Sequence, residues 1–186
     1  MYRLVLMFVM ENGYVIRKQR YDDVSRVFTC GDADLDDFFK NDSLHYTGHK
    51  LASTYVVEDS DDLLAYFSIA NDRISVDCFD RSSAFSKFRK RFVNTKRIRG
   101  YPAVKICRLA VNDFLRKNGI GTEIINFLKA TFHKRQRSAC RFLTVDAYRS
   151  SVDFYRKNGF IPINDIIDSR KCTVSMYFDL ADLDIQ

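Results

Sequence analysis

The chain predicts a single α/β domain, a mixed sheet flanked by helices and built around one strand–turn–helix. Three observations carry that expectation. Runs with strand character and runs with helical periodicity alternate along the whole length. An apolar run from Ala103 to Val111 passes through a polar turn into a helical stripe of Ile120, Ile124, Leu128 and Phe132, with Ile125 beside it. The 186 residues contain no internal repeat, linker or low-complexity stretch, so one domain, 1–186, is expected with a core of its own.

The first residues, Tyr2 to Met10, read YRLVLMFVM and are far too short to span a membrane. Only Arg3 could serve as the basic leader of a signal peptide, so the stretch reads as an edge strand within an N-terminal extension, 1–20. Met1 and Met10 both fit as starts. Phe28 to Gly31 ends an extended piece, and Asp32 is a good helix cap, followed by Asp34, Asp36 and Asp37 in the first turns. Leu35, Phe38 and Phe39 give that helix its buried stripe. Ser53–Glu58 and Leu63–Ala70 read as a hairpin about the turn Asp59–Asp62. Cys78–Arg91 reads as a helix with Phe79, Phe85, Phe88 and Phe92 on its apolar side, and Asn94–Tyr101 as a loop closed by Pro102. After the central helix come a strand (Arg141–Tyr148), a short helix (Ser150–Asn158), a strand (Phe160–Ile163) and a last strand (Lys171–Leu180).

Composition excludes several classes of function. Five cysteines, Cys30, Cys78, Cys107, Cys140 and Cys172, are odd in number and scattered, with no C-x-x-C pair. That argues against a disulfide framework or a zinc site and for a reducing, cytoplasmic setting. Asp32, Asp34 and Asp36 have the spacing of a calcium loop, but its sixth position is Asp37 where glycine is needed and its twelfth is Ser43 where glutamate is needed. His45 and His49 lack the glutamate of a metalloprotease helix, since Tyr46 follows the first. No metal is expected. The formal charge is +6, unevenly spread: Asp22 to Asp62 holds eleven acidic and three basic residues, whereas Arg81 to Arg108 holds ten basic residues and no acid. A basic face follows, centred on an insert at 81–101. Charge runs are usually solvated faces, and that reading stays open beside a functional one.

The chemistry sits in Arg116-Lys117-Asn118-Gly119-Ile120-Gly121. Glycines let the backbone approach a ligand, the first helical amides have no partner within the helix, and the dipole makes that end partly positive. Such a turn seats a phosphate or pyrophosphate. A tight turn without any ligand would use the same residues. The dinucleotide fingerprint fails at Ile124, and the nucleoside-triphosphate loop fails because no Gly-Lys pair exists in the chain.

What fits is R-x-x-G-x-G after an Arg-Leu-Ala-Val strand, with the arginine five residues beyond Val111. This resembles the acetyl-CoA signature of GNAT-type N-acetyltransferases. Ser150 to Phe160, SSVDFYRKNGF, is similar to that family's helix ending in F-Y-x-x-x-G-F. The resemblance runs from Phe28 to Leu180 and implies splayed strands at an acetyl-CoA site. It implies that Arg116, Lys117, Asn118, Gly119, Ile120, Gly121 and Thr122 hold the CoA pyrophosphate. It also implies that an amide of Leu109, Ala110 or Val111 acts as oxyanion donor, and that Tyr155 protonates the leaving thiolate. From spacing alone, Tyr155 is equally a core aromatic of an amphipathic helix. The general base is not evident; Asp113, Asp146 and the His45/His49 pair are unranked candidates, and an α-amine with a pKa of about 8 needs less help than a lysine at about 10.4.

Phe28-Thr29-Cys30-Gly31, then Leu35 and Phe38-Phe39, resembles the F-x-C-G-x-x-x-L-x-x-[FW] opening of GNAT toxins from bacterial toxin–antitoxin pairs. That resemblance implies acetylation of the α-amino group of aminoacyl-tRNA, a small DNA-binding antitoxin as partner, and a homodimer. Arg89, Lys90, Arg91, Lys96, Arg97 and Arg99 would then meet RNA phosphates. The chain departs from the toxin pattern in carrying Lys117 where the family commonly has glycine, in its long basic insert and in its N-terminal extension. Two further readings stay open: a GNAT enzyme acting on a protein N-terminus, lysine or small amine, and a non-catalytic module binding nucleic acid or another partner.

Overall fold

The strands Met7–Val9 (β1), Val15–Lys18 (β2), Ser53–Glu58 (β3), Leu63–Ser75 (β4), Gly100–Val111 (β5), Phe142–Tyr148 (β6), Ile161–Pro162 (β7) and Thr173–Asp179 (β8) hydrogen-bond in the order β1-β2-β3-β4-β5-β6-β8-β7. The helices are Ala33–Asp37 (α1), Ser43–Gly48 (α2), Ser82–Arg89 (α3), Ile120–Lys134 (α4) and Val152–Lys157 (α5). This computed structural model describes residues 7–10, 13–60, 62–92, 98–134, 139–164 and 170–185. Strands β1 to β4 form an antiparallel meander, and β8 runs antiparallel to both β6 and β7. The amide of Arg141 donates to the carbonyl of Pro102 (2.9 Å), and further along the same strands Lys105 meets Asp146. The register therefore advances in the same direction on β5 and β6. They are parallel and joined through α4, the kind of crossover a parallel pair requires. The sheet is mixed and mostly antiparallel, as the alternation of elements led one to expect.

The chain gathers into two compact units, Met1–Ala70 with Ile106–Asn126, and Asn71–Lys105 with Phe127–Gln186. In the first, Cys30, Phe38, Phe39, Val56, Leu63, Tyr66 and Ala110 form one buried cluster, with Phe28 and Leu35 packed on it. Asp32 caps α1 as expected, accepting from the amides of Asp34 and Leu35. A π-helical turn, Phe38–Asp42, then lets two consecutive phenylalanines both turn inward, 5% and 2% exposed. Strand β2 was not anticipated, because its middle residue is a charge. Arg17 is only 4% exposed, and its guanidinium is held by both carboxylate oxygens of Asp23 (2.7 Å each) and by Glu58 (2.5 and 2.7 Å). Removing one partner from a buried pair of this kind costs about 3–5 kcal/mol.

The second unit is organised by aromatic rings. Phe85, Phe88, Tyr101, Phe142 and Tyr177 are buried with Ile74 and Ala103, and Phe79 and Phe92 close the cluster. Phe88 meets Tyr101 and Tyr177 edge-on at 5.7 and 5.5 Å, the geometry that opposes ring quadrupoles favourably. Three sequence expectations shift here. Strand β4 continues past Ala70 to Ser75, since Asp72 finds a donor in the Thr144 hydroxyl (2.5 Å) and the polar stretch need not turn. The helix begins at Ser82 instead of Cys78, preceded by a 3₁₀ turn at Val76–Cys78, and Phe79 packs from outside it at 5.2 Å from Phe88. Strand β5 starts at Gly100, inside the expected loop.

Candidate active site

In the first unit β5 delivers the chain into the glycine turn. Buried Asn112 ends the strand, its amide donating to the carbonyl of Leu64 (2.8 Å) and its side chain to that of Leu63 (3.1 Å). A 3₁₀ turn, Asp113–Leu115, follows, anchored by the Asp113 amide on the Thr29 carbonyl (2.9 Å). Two residues then take left-handed φ, Lys117 at 67° and Gly119 at 86°. The first amide bonded back into α4 is that of Glu123, on the carbonyl of Gly119 (3.0 Å). The amides of Ile120, Gly121 and Thr122 thus precede the helical ladder, where partial positive charge collects. A Cβ at Gly119 would meet nothing within 4 Å, so the approach to these amides is open. Ile120, Ile124, Ile125 and Leu128 are buried beneath the turn, the stripe seen in the sequence, while Arg116, Lys117, Asn118 and Thr122 are exposed. Three amides ahead of the helical ladder and the exposed Lys117 are the donor chemistry that a diphosphate takes.

Arg116 has another engagement. Its guanidinium pairs with Asp113 (2.8 Å) and donates to the carbonyl of Cys30. Gly31, at φ 72°, makes room for this contact, since a Cβ there would come within 2.9 Å of both Arg116 and Asp113. The arginine of the motif therefore ties the turn to the start of α1 while its side chain, like that of Lys117, stays exposed. On β5, Ala110 is buried in the aromatic cluster, whereas Leu109 and Val111 are half-buried. Arg108 lies over the Phe38 ring (4.9 Å) and near the Asp34 carboxylate (3.9 Å). The sequence offered no signal for that pairing beyond a count of charges. Cys30 is no nucleophile: burial, then its hydrogen bond to Asp36, pushes the thiol up to about 12.

In the second unit Tyr155 sits on α5, 6% exposed, beside Phe154 and Phe160 (ring centroids 5.0 and 5.4 Å). Burial raises its pKa, so the phenol holds its proton throughout the neutral range. The spacing of F-Y-x-x-x-G-F becomes a helix cap. The amide of Phe160 donates to the carbonyl of Tyr155 (3.0 Å) and that of Gly159 to Arg156 (2.9 Å), with Gly159 at φ 79°. This is a Schellman motif, whose apolar contact between the residues flanking the cap is here Tyr155 on Phe160. Lys129 of α4 reaches the same cap, and burial lowers its pKa. In the sequence it is an unmarked polar position between stripe residues.

Of the candidate bases, the two aspartates are engaged. Asp113 pairs with Arg116. Asp146 accepts from Lys105 (2.5 Å) and from the Ser175 hydroxyl (2.6 Å). Burial works to raise the Asp146 pKa, and those two hydrogen bonds, Lys105 first, outweigh it and hold the carboxyl below its usual range. His45 and His49 lie with ring centroids 4.2 Å apart on an exposed helix end. Among the described residues no group of three His, Cys, Asp or Glu is arranged for a metal, and no helix is long and apolar enough to cross a membrane.

The basic segment divides. Lys90 and Arg99 are exposed and Arg89 is half-buried. Arg91 stacks over Phe88 (4.6 Å) and Phe92 (5.5 Å) and donates to the Tyr177 hydroxyl (3.0 Å), so part of its role is packing. Lys96 and Arg97 lie outside the described residues.

A family model, the acetyltransferase (GNAT) domain, matches residues 84–176. No curated protein matches the chain. Three solved structures illustrate the likeness. A tyrosine-to-phenylalanine mutant of KacT is 17% identical with a TM-score of 0.70, the match covering 92% of this chain and 98% of that one. AtaT complexed with acetyl-methionyl-tRNAfMet is 18% identical with a TM-score of 0.69, at 92% and 98% coverage. An AtaT mutant toxin bound to the C-terminus of the antitoxin AtaR and acetyl-CoA is 18% identical with a TM-score of 0.68, at 93% and 99% coverage. At these identities the likeness is one of fold.

Proposed function

The chain belongs to the GNAT acetyltransferase family, and from that premise we propose that it moves an acetyl group from acetyl-CoA to the α-amino group of aminoacyl-tRNA, as a toxin-like enzyme. The donor supplies an acyl group activated as a thioester. The turn Arg116–Thr122 would bind its diphosphate through the amides of Ile120, Gly121 and Thr122 and through the Lys117 ammonium. Arg116 serves this indirectly, by holding the turn against Cys30. An amide of the Leu109–Val111 strand would donate a hydrogen bond to the carbonyl oxygen as negative charge develops on it, at splayed strands. Tyr155 Oη would give its proton to the departing thiolate. A phenol at about 10 is a weaker acid than a thiol at about 8.5, so the transfer is uphill, and it balances when the tyrosinate recovers, through solvent, the proton that the acylated amine gives up.

The observation that carries the choice of acceptor is the state of the carboxylates. Asp113 and Asp146 are both committed to cations, and Asp146 is a weaker base than an ordinary aspartate. With both of these aspartates committed, the acceptor favoured is an amine that is partly neutral already, an α-amine and not a lysine. Exposed Lys90 and Arg99, with Arg89, supply charge for a polyanion. The AtaT structure with acetyl-methionyl-tRNAfMet and the one with AtaR and acetyl-CoA support the same reading on a shared fold. It includes a cytoplasmic enzyme, a homodimer and a small DNA-binding antitoxin.

The test is transfer of label from acetyl-CoA to total charged tRNA, run beside peptides with free N-termini and a polyamine. Label on charged tRNA, with affinity falling steeply as salt rises, is the expected result. Label on peptide or polyamine alone would overturn the tRNA reading and leave the acetyltransferase intact.

A further inference from the structure

Tyr155 stands on a helix of only six residues, too short to hold its own orientation by hydrogen bonds alone. Its carboxyl-terminal end is where the constraint is concentrated. Besides the Schellman pair, the Asn158 side chain donates to the carbonyl of Phe154 (2.9 Å), and the Asn158 amide is shared among Phe154, Tyr155 and Arg156. A cation enters this cap from another element. Lys129 is half-buried on α4; its Nζ donates to the carbonyl of Asn158 (2.7 Å) and lies 3.9 Å from the centroid of the Phe178 ring. The same ring closes the space at Gly159, where a Cβ would come within 3.0 Å of it.

The placement is unusual for a lysine. Ammonium groups are strongly hydrated, and this one is half-buried with a carbonyl and an aromatic face as neighbours. A cation at a helix carboxyl terminus is favoured by the dipole, and the carbonyl it meets is one that the helix itself leaves without a partner. Simple solvation of an α4 surface would leave the amine in water, where a flexible four-carbon stem normally takes it.

We propose that Lys129 is a positioning residue for the acyl transfer: it fixes the cap of α5 through Asn158 and so sets the direction in which Tyr155 presents its hydroxyl. The proposal rests on Tyr155 as the proton donor. It does not depend on which amine is the acceptor.

The experiment is a double-mutant cycle of Lys129→Met and Tyr155→Phe, read as thiol release from acetyl-CoA, both with total charged tRNA and with water alone as acceptor. Lys129→Met keeps the stem and loses the donor. Its kcat is expected to fall roughly 10- to 10²-fold, the scale of a small misplacement of a reacting group, with KM for acetyl-CoA held within about 2-fold. Lys129→Arg, which can still donate and stack, is expected to recover most of the rate. In the Tyr155→Phe background Lys129→Met is expected to cost nothing further, because both changes remove one function. An equal loss in both backgrounds, or a Lys129→Met enzyme with parental kcat, overturns the proposal. If Tyr155→Phe alone leaves turnover at the parental level, the proton-donor reading has failed, and the proposal with it. Should Lys129→Met not fold, Lys129→Gln, whose amide stops about one atom short of the carbonyl, carries the same cycle.

Discussion

Gly119 opens α4 and Gly159 closes α5, and the two turns ask the same thing of the backbone, φ of 86° and 79°. They differ in what surrounds them. A Cβ at Gly119 would touch nothing within 4 Å, whereas one at Gly159 would come within 3.0 Å of the Phe178 ring. The first turn is a left-handed bend kept empty, with helix-terminal amides behind it. The second is the same bend filled by the protein's own aromatic side chain. A glycine in a motif can thus record room for a ligand or room for the core, and the dihedral alone does not say which.

Substitutions at the turns separate the two. Gly121→Asp would set a carboxylate among the amides that open α4, and is expected to cost several kcal/mol of acetyl-CoA binding, about 3 or more. Calorimetry with the far-ultraviolet spectrum unchanged is the check; parental affinity would remove the diphosphate seat. Gly159→Ala combines a left-handed alanine, about 1–2 kcal/mol, with a ring that must shift. A stability loss of about 2–3 kcal/mol in urea melts is expected, with acetyl-CoA affinity of the folded fraction preserved. Gly119→Ala carries the dihedral cost without the clash, about 1 kcal/mol, yet narrows the approach to the amides, so its larger effect should be on binding. If Gly119→Ala and Gly159→Ala instead shift stability and affinity alike, the contrast between the turns is void. Smallest is Lys117→Gly. Lys117 occupies φ 67°, a conformation that costs a non-glycine residue about 1–2 kcal/mol; glycine gives part of that back in unfolded-state entropy, so a net gain of about 1 kcal/mol or less is expected, with the loss of a cation at the seat. A higher Tm with weaker acetyl-CoA binding is the signature.

The strand, turn and stripe of β5 and α4 were legible because each is written in adjacent residues. The Schellman spacing of Tyr155, Gly159 and Phe160 was legible for the same reason, although as a resemblance before it was a cap. Features resting on distant partners were not. Arg17 makes β2 look like a charged loop until Asp23 and Glu58 are placed around it. The strand expected to end at Ala70 runs on through Asn71-Asp72-Arg73 because Thr144 supplies Asp72 with a donor. Arg116 reads as an anion ligand until Gly31 admits it to Cys30, and the unopposed cations at Lys105 and Arg108 find Asp146 and Asp34.

The tie between Arg116 and Cys30 spans 86 residues, and the one between Asp113 and Thr29 is nearly as long. Closing such loops is entropically slow compared with forming a helix or a hairpin, and the rewards arrive only once both ends are in place. The glycine turn can bend early, but it cannot be held until the far end of its unit has arrived. The donor seat is therefore expected to be completed late in the folding of that unit, which φ-values at Arg116 and Asp113 close to zero would bear out. A molecule that binds the seat only when it is complete stabilises the folded state and raises the melting temperature with the logarithm of its concentration, so acetyl-CoA titrated into a thermal melt reports binding to the completed seat.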